Sequence, residues 1–187
     1  MSKEIERKFL IPLKHHGEFL ERQGVEITQA YLSQDVDRTV RVRLVRPAPP
    51  PSVPLCETAT LTIKGRSTQG GLLRPEWEFA LPVQCAEEMI AQLHAPVLYK
   101  TRHFLDLDGD KWVVDVLRVN TVADRPPMMW RYLIFAEFEA DTIEAVNAVK
   151  LPHWLGAEVT NDPTYSMSAL TTEAAREAAW RRAYGKK

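Results

Sequence analysis

At 187 residues, 45% hydrophobic and 26% charged with a net charge of −1, the chain has the makeup of one globular domain, and it excludes whole-molecule attraction to nucleic acid or anionic membrane. Any charge-based function must come from local segregation. Cys56 and Cys85 make neither a disulfide framework nor a zinc spacing, the first residues carry no apolar signal-peptide core and no apolar run could span a bilayer, so a reducing cytoplasm is the expected compartment.

Residues 3–11 read as a first strand, stopped by Pro12, with Glu4, Glu6 and Lys8 on one face and Ile5 and Phe9 on the other. A polar connection follows at 13–24, with at most one helical turn, where His15 and His16 are expected exposed. Strands are predicted at 25–34 and 38–46, turning at Asp35–Asp37. The proline tract 47–54 cannot continue a sheet ladder and reads as an extended hairpin loop. Residues 58–65 and 73–81 give the fourth and fifth strands, with Pro75 expected to mark an edge or bulge. Residues 84–94 carry apolar side chains at helical spacing, ending before Pro96. Strands at 97–107 and 111–119 flank the hairpin signal Asp108-Gly109-Asp110, and an eighth spans 131–140 after a loop holding Pro126 and Pro127. Asp141 with Glu144 resembles a capping box for a helix at 142–150. A last helix at 171–184, with Arg181 and Arg182 late, reads as a solubilising appendage, with docking on the body through Ala179 and Trp180 as the alternative, so a body at 1–170 is expected with an extension at 171–187.

The charges repeat a pattern. Glu4/Glu6, Glu76/Glu78 and Glu137/Glu139 are carboxylates two apart in strand-like sequence, and Arg41/Arg43 and Lys100/Arg102 are cations at the same spacing. Like charges on one strand face repel unless opposite charge lies beside or across from them. About eight antiparallel strands closed into a barrel, charged faces inward and helices packed outside, satisfy the whole set. The expected class is therefore α+β, mainly β: an eight-stranded antiparallel closed barrel, a tunnel with a charged interior. Such an interior requires ligands, because buried unpaired charge is costly. Its cations suit a chain of phosphates, and its carboxylates suit a hard divalent cation, Mg2+ or Mn2+. Together they point to phosphoryl transfer, in which positioning and charge neutralisation carry most of the catalysis.

These residues resemble the CYTH superfamily, the triphosphate tunnel metalloenzymes. The resemblance rests on Glu4-x-Glu6-x-Lys8, Gln29-Ala-Tyr31-Leu32, Arg41/Arg43, Thr62-Ile-Lys64, Glu76/Glu78, Lys100/Arg102, Asp115, Glu137/Glu139 and Glu158-Val-Thr160 in order, across residues 2 to 170. It implies an enzyme. Lys8, Arg41, Arg43, Lys64, Lys100 and Arg102 would bind triphosphate. Glu4, Glu6, Glu137 and Glu139 would hold metal, with Asp115 as a further candidate. Glu76 and Glu78 are catalytic candidates that could organise cations, hold a second metal or position water. Tyr31 would hydrogen-bond Lys8, and the pair would act in catalysis. The opening Glu-Ile-Glu-Arg-Lys-Phe-Leu is similar to that of small bacterial members that hydrolyse inorganic tripolyphosphate to pyrophosphate and phosphate. Adenylyl cyclase, nucleoside or thiamine triphosphatase and a non-catalytic polyphosphate-binding module are the alternatives. The expected partner is a small-molecule triphosphate, with no nucleic acid or membrane, and a homodimer is admissible. Thr164-Tyr165-Ser166-Met167 stands where the family often has Arg-Tyr-x-Asn.

Overall fold

The computed structural model describes residues 2–35, 37–47, 56–120, 130–160 and 162–185. Eight strands form one closed antiparallel barrel: β1 (Ser2–Leu10), β2 (Val25–Asp35), β3 (Arg38–Pro47), β4 (Thr58–Lys64), β5 (Leu73–Leu81), β6 (Val97–Leu107), β7 (Asp110–Arg118) and β8 (Tyr132–Glu139). Their order around the wall is β1-β5-β4-β3-β2-β6-β7-β8, returning to β1. Alternation in these strands puts Val, Ile, Thr and aromatic side chains on a pleated surface that suits them. The β6–β7 hairpin closes through Asp108 and Gly109, both at positive φ, with the Gly109 N–H donating to Asp106 at 2.9 Å. The proline tract from Ala48 to Pro54 and the loop holding Pro126 and Pro127 lie outside the described residues. No helix among the described residues is long and apolar enough to cross a membrane.

Outward-facing apolar residues are buried in two clusters. Ile5, Phe9, Trp112, Val114, Ile134 and Phe138 pack under α1 (His16–Leu20), Trp154 and α3 (Ile143–Ala148). Val42, Leu44 and Ala59 pack under α2 (Val83–Gln92) through Ala86. The cap of α3 lies one residue beyond the predicted Asp141: Thr142 accepts from the Ala145 N–H at 3.1 Å. His16 is buried, not exposed, because its ring pairs with the Ile11 carbonyl at 2.9 Å and stacks edge-on against Tyr184.

The third cluster is different. Leu10, Tyr31, Leu98, Leu117, Leu133 and Phe135 share the inward register of the charged residues, and they fill one end of the barrel. Against them packs α4 (Glu173–Tyr184) through Ala179. Buried Arg176 donates to the carbonyls of Val119 at 3.1 Å, Leu170 at 3.0 Å and Thr171 at 3.1 Å, and the Tyr184 hydroxyl donates to Ile11 at 2.8 Å. The last helix therefore shares the core, where its polar surface had suggested a solvated appendage.

One seam is short. β5 pairs with β1 only along Ser2–Ile5, while β8 pairs along Glu6–Leu10. The free side of β1 beyond that point is covered by residues 156–160: Gly156 donates to Leu10 at 2.8 Å, Leu10 to Ala157 at 2.9 Å and Val159 to Lys8 at 2.8 Å. Arg7 clamps this segment through Glu158, at 3.1 and 2.7 Å. Pro75 marks neither an edge nor a bulge, since a closed barrel has no edge and β5 keeps its register there. Its carbonyl faces the β4 side and accepts from Gly65 at 2.9 Å, just past the last β4–β5 pair, so its missing N–H breaks no ladder bond.

Candidate active site

The inward face of the barrel encloses a cavity of about 1020 Å³. Every candidate residue except Asp115 lines it: Glu4, Glu6 and Lys8 from β1; Tyr31 from β2; Arg41 and Arg43 from β3; Lys64 from β4; Glu76 and Glu78 from β5; Lys100 and Arg102 from β6; Glu137 and Glu139 from β8. Register explains the convergence. Lys8 stands opposite Glu137 and Glu6 opposite Glu139, while Arg41 stands opposite Thr62 and Lys64 opposite Glu76.

Part of the charge is neutralised internally. Lys64 bonds Glu4 and lies 3.4 Å from Glu76, and Lys8 lies 3.2 Å from Glu137. Burial pushes the Glu4 carboxyl up, but the Lys64 ammonium, with Arg41, brings it below its ordinary value. Burial likewise opposes ionisation of Glu137, and Lys8 with Arg102 overrides it. Glu78 accepts from the Thr62 hydroxyl at 2.9 Å.

Other groups are left over. Among the described residues, Glu6 and Glu139 make no ion pair. Burial and then the charges of Glu4 and Glu137 push Glu6 up to about 8, and burial followed by Glu4 raises Glu139. Among the described residues Arg41 and Arg43 have no carboxylate partner, and each buries an Nε without a hydrogen-bond partner. Burial, then Arg41 and Arg102, lowers Arg43 to about 10.

Two assignments change. Asp115 is fully buried and outside the cavity lining, and its oxygens are taken by Lys100 at 2.6 Å and by both arms of Arg102 at 2.7 Å. With both oxygens engaged by these two cations and no place in the cavity lining, it acts in this structure as an organiser of cations. Arg102 reaches on to Glu137 at 3.1 Å. Its pairing with Asp115 outweighs burial and keeps its guanidinium firmly charged, whereas Lys100, buried, beside Arg102 and sharing one carboxylate with it, falls to about 7. Tyr31 does not meet Lys8. Its hydroxyl accepts from Gln29 Nε2 at 2.8 Å and faces Arg41, while Lys8 turns to Glu137 and lies 4.5 Å over the Phe135 ring.

Sequence reading missed Arg74. It lines the cavity from β5, donating to Gly65 at 2.6 Å and Thr39 at 2.8 Å, and the signal was present in its alternation with Glu76 and Glu78. Thr160 was also unassigned: it accepts from the Lys8 N–H at 3.1 Å and donates to Glu158 at 2.8 Å, fixing the backbone that carries Lys8.

An inorganic triphosphatase from Acetivibrio thermocellus is 34% identical over 171 residues, covering 91% of this chain and 94% of its own. The chain belongs to the inorganic triphosphatase family. A second member, from Nitrosomonas europaea, is 30% identical to this triphosphatase chain over 168 residues, covering 89% of it and 95% of its own length. The crystal structure of an inorganic triphosphatase matches the fold with a TM-score of 0.52 at 24% identity, over 91% of this chain and 95% of that one. A Hippeastrum structure described as an adenylyl cyclase with a dominant triphosphatase activity also has a TM-score of 0.52, at 13% identity over 77% and 82% of the two chains. No family model matches the chain.

The donor set of this triphosphatase fits a divalent cation in chemistry. Glu6 and Glu139 present carboxyl oxygens that pair with no lysine or arginine among the described residues, and burial with the neighbouring carboxylates disfavours ionisation of Glu6, a donor chemistry that suits an oxygen-seeking dication. No group of three ligands among the described residues is already converged on one point, since Glu4 and Glu137 are drawn to lysines.

Proposed function

We propose that this protein is a cytoplasmic enzyme that hydrolyses inorganic tripolyphosphate to pyrophosphate and phosphate, using Mg2+ or Mn2+ held by Glu4, Glu6, Glu137 and Glu139. The observation that carries the reading is the pair of complementary remainders: arginines without an acid, Arg41 and Arg43, and carboxyls without a base, Glu6 and Glu139, around one cavity. A phosphate chain supplies what the first pair lacks and a dication what the second lacks.

In this reading Arg41 and Arg43 receive phosphate oxygens, with Lys8, Lys64, Lys100 and Arg102 supplying further positive charge along the chain. Asp115 keeps Lys100 and Arg102 in place. A bound dication would supply positive charge against the phosphate oxygens and the attacking water. Glu78, whose carboxylate accepts from the Thr62 hydroxyl, would accept a hydrogen bond from that water. An inorganic chain is favoured over a nucleoside or thiamine ester by the aromatic lining: among the described residues the rings at the cavity are Tyr31 and Tyr165, both buried, and Trp77 faces outward. The net charge of −1 supports a small-molecule partner over nucleic acid or membrane.

Phosphate release from tripolyphosphate, ATP and thiamine triphosphate, with Mg2+ and Mn2+ supplied separately, tests this. Tripolyphosphate should be the preferred substrate. Tight polyphosphate binding with no release under either metal would instead identify a binding module, and cyclic AMP from ATP a cyclase.

A further inference from the structure

Gln29 has no role in the scheme above, yet it is fully buried on the inward register of β2, two residues before Tyr31. Its Nε2 donates to the Tyr31 hydroxyl oxygen at 2.8 Å, and its Oε1 has no partner. Arg41, across the β2–β3 ladder from Tyr31, directs a second donor at the same phenol oxygen. An amide NH2 and a guanidinium only donate, so neither can take the phenol hydrogen. Tyr31 clusters with Leu98, Leu117 and Leu133, which offer no side-chain acceptor, and it lines the cavity, where the nearest charged acceptor to act on it is the Glu137 carboxylate, itself held by Lys8 and Arg102. Gln29 is itself the cross-strand neighbour of Arg43, whose positive charge favours the amide oxygen, not the NH2, as the group left free.

We propose that Gln29 is a positioning residue: by donating to the Tyr31 oxygen, its amide turns the phenol hydrogen into the cavity, where Tyr31 donates it to a phosphate oxygen of the substrate. Tyr31 then contributes a neutral donor beside the charged Arg41 and Arg43, and it does not act as a base. The inference rests on the tripolyphosphate reading.

The experiment is steady-state kinetics on tripolyphosphate for wild type, Tyr31→Phe, Gln29→Met, Gln29→Glu and the two double variants, with thermal melts to confirm folding. Loss of one neutral hydrogen bond corresponds to roughly a twofold to tenfold change. Tyr31→Phe should raise KM by about that factor with kcat little changed, and Gln29→Met should do the same. Gln29→Glu, whose carboxylate accepts the phenol hydrogen, should raise KM at least as much, and it carries the comparison should the methionine variant not fold. In the Tyr31→Phe background neither Gln29 substitution should raise KM further. A purely structural Gln29 would give additive losses, which overturns the proposal. So does a lower KM in Gln29→Met, which would mean that the amide had been accepting the hydrogen. A wild type that leaves tripolyphosphate intact defeats the functional reading, and this inference with it. An active wild type with no coupling defeats the inference alone.

Discussion

Replacing Glu6 by Gln should stabilise the protein in a chelator and, on the proposal that Glu6 holds metal, remove its triphosphatase activity. The folded carboxyl is pushed from 4.5 to about 8 by burial and by Glu4 and Glu137. Below pH 4.5 it is protonated in both states. Between 4.5 and about 8 the unfolded chain has released the proton and the folded chain retains it, so stability falls as pH rises across this window. At pH 7 the difference spans about 2.5 pH units, or roughly 3–4 kcal/mol at ~1.4 kcal/mol per unit. Screening by cavity water brings this to about 2 kcal/mol. Glutamine carries no such penalty, so the variant should melt about 4–8 °C above wild type at pH 7 in a chelator, at ~2–4 °C per kcal/mol for a chain of this size. Near pH 4.5 the two should converge. Thermal melts at pH 5, 6, 7 and 8 read this directly. A variant less stable than wild type at pH 7, or a gap that does not widen with pH, would refute the assignment of Glu6 as an unpaired carboxyl among carboxyls.

Arg41→Ala removes charged contacts to phosphate and should raise KM about 10- to 100-fold, with a smaller change in kcat; an unchanged KM would exclude Arg41 from the phosphate site. Asp115→Asn leaves buried Lys100 without its counter-charge and Arg102 with Glu137 alone, and urea unfolding should show a loss of about 3–5 kcal/mol. Were Asp115 a metal ligand instead, activity would fall with little change in stability. In Gly156→Ala the new Cβ would lie 2.8 Å from the Leu10 carbonyl oxygen and 3.1 Å from Pro12, so a loss of about 1–3 kcal/mol is expected in the same assay. Glu139→Gln should abolish turnover with the melt preserved, and full turnover would remove Glu139 from the metal set.

The barrel was legible because charge alternated with period 2 on strand after strand, and inward register is what a period of 2 encodes. Arg41, Arg43, Lys100 and Arg102 reach the cavity for that reason. What alternation does not encode is distance along the barrel axis. Leu10, Leu98 and Leu117 share the inward face with the charged set but fill an end, and no pattern in the sequence separates plug from tunnel. Asp115 obeys the alternation too, and only the two cations converging on it show that its oxygens are consumed. Tyr31 and Lys8 come from strands not adjacent in the wall, so their separation depended on the whole barrel. For α4 the apolar docking residues Ala179 and Trp180 were legible, but its polar hold, Arg176 on three carbonyls, was not, because a mid-helix arginine reads as solvent-exposed in sequence.

The short seam at β1 bears on how the chain comes to fold during synthesis. β1 leaves the ribosome before every segment that completes it, β5, β8 and residues 156–160, so Ser2 waits for Glu76, Lys8 for Glu137 and Leu10 for Gly156. The β2–β3 and β6–β7 hairpins can form early from local contacts, but closure of the ring needs loop closures of high sequence separation. Until then β5 and β8 present unpaired edges. Release of nascent chains truncated before residue 156 should therefore give aggregation-prone species, and ring closure should be the slow event in refolding.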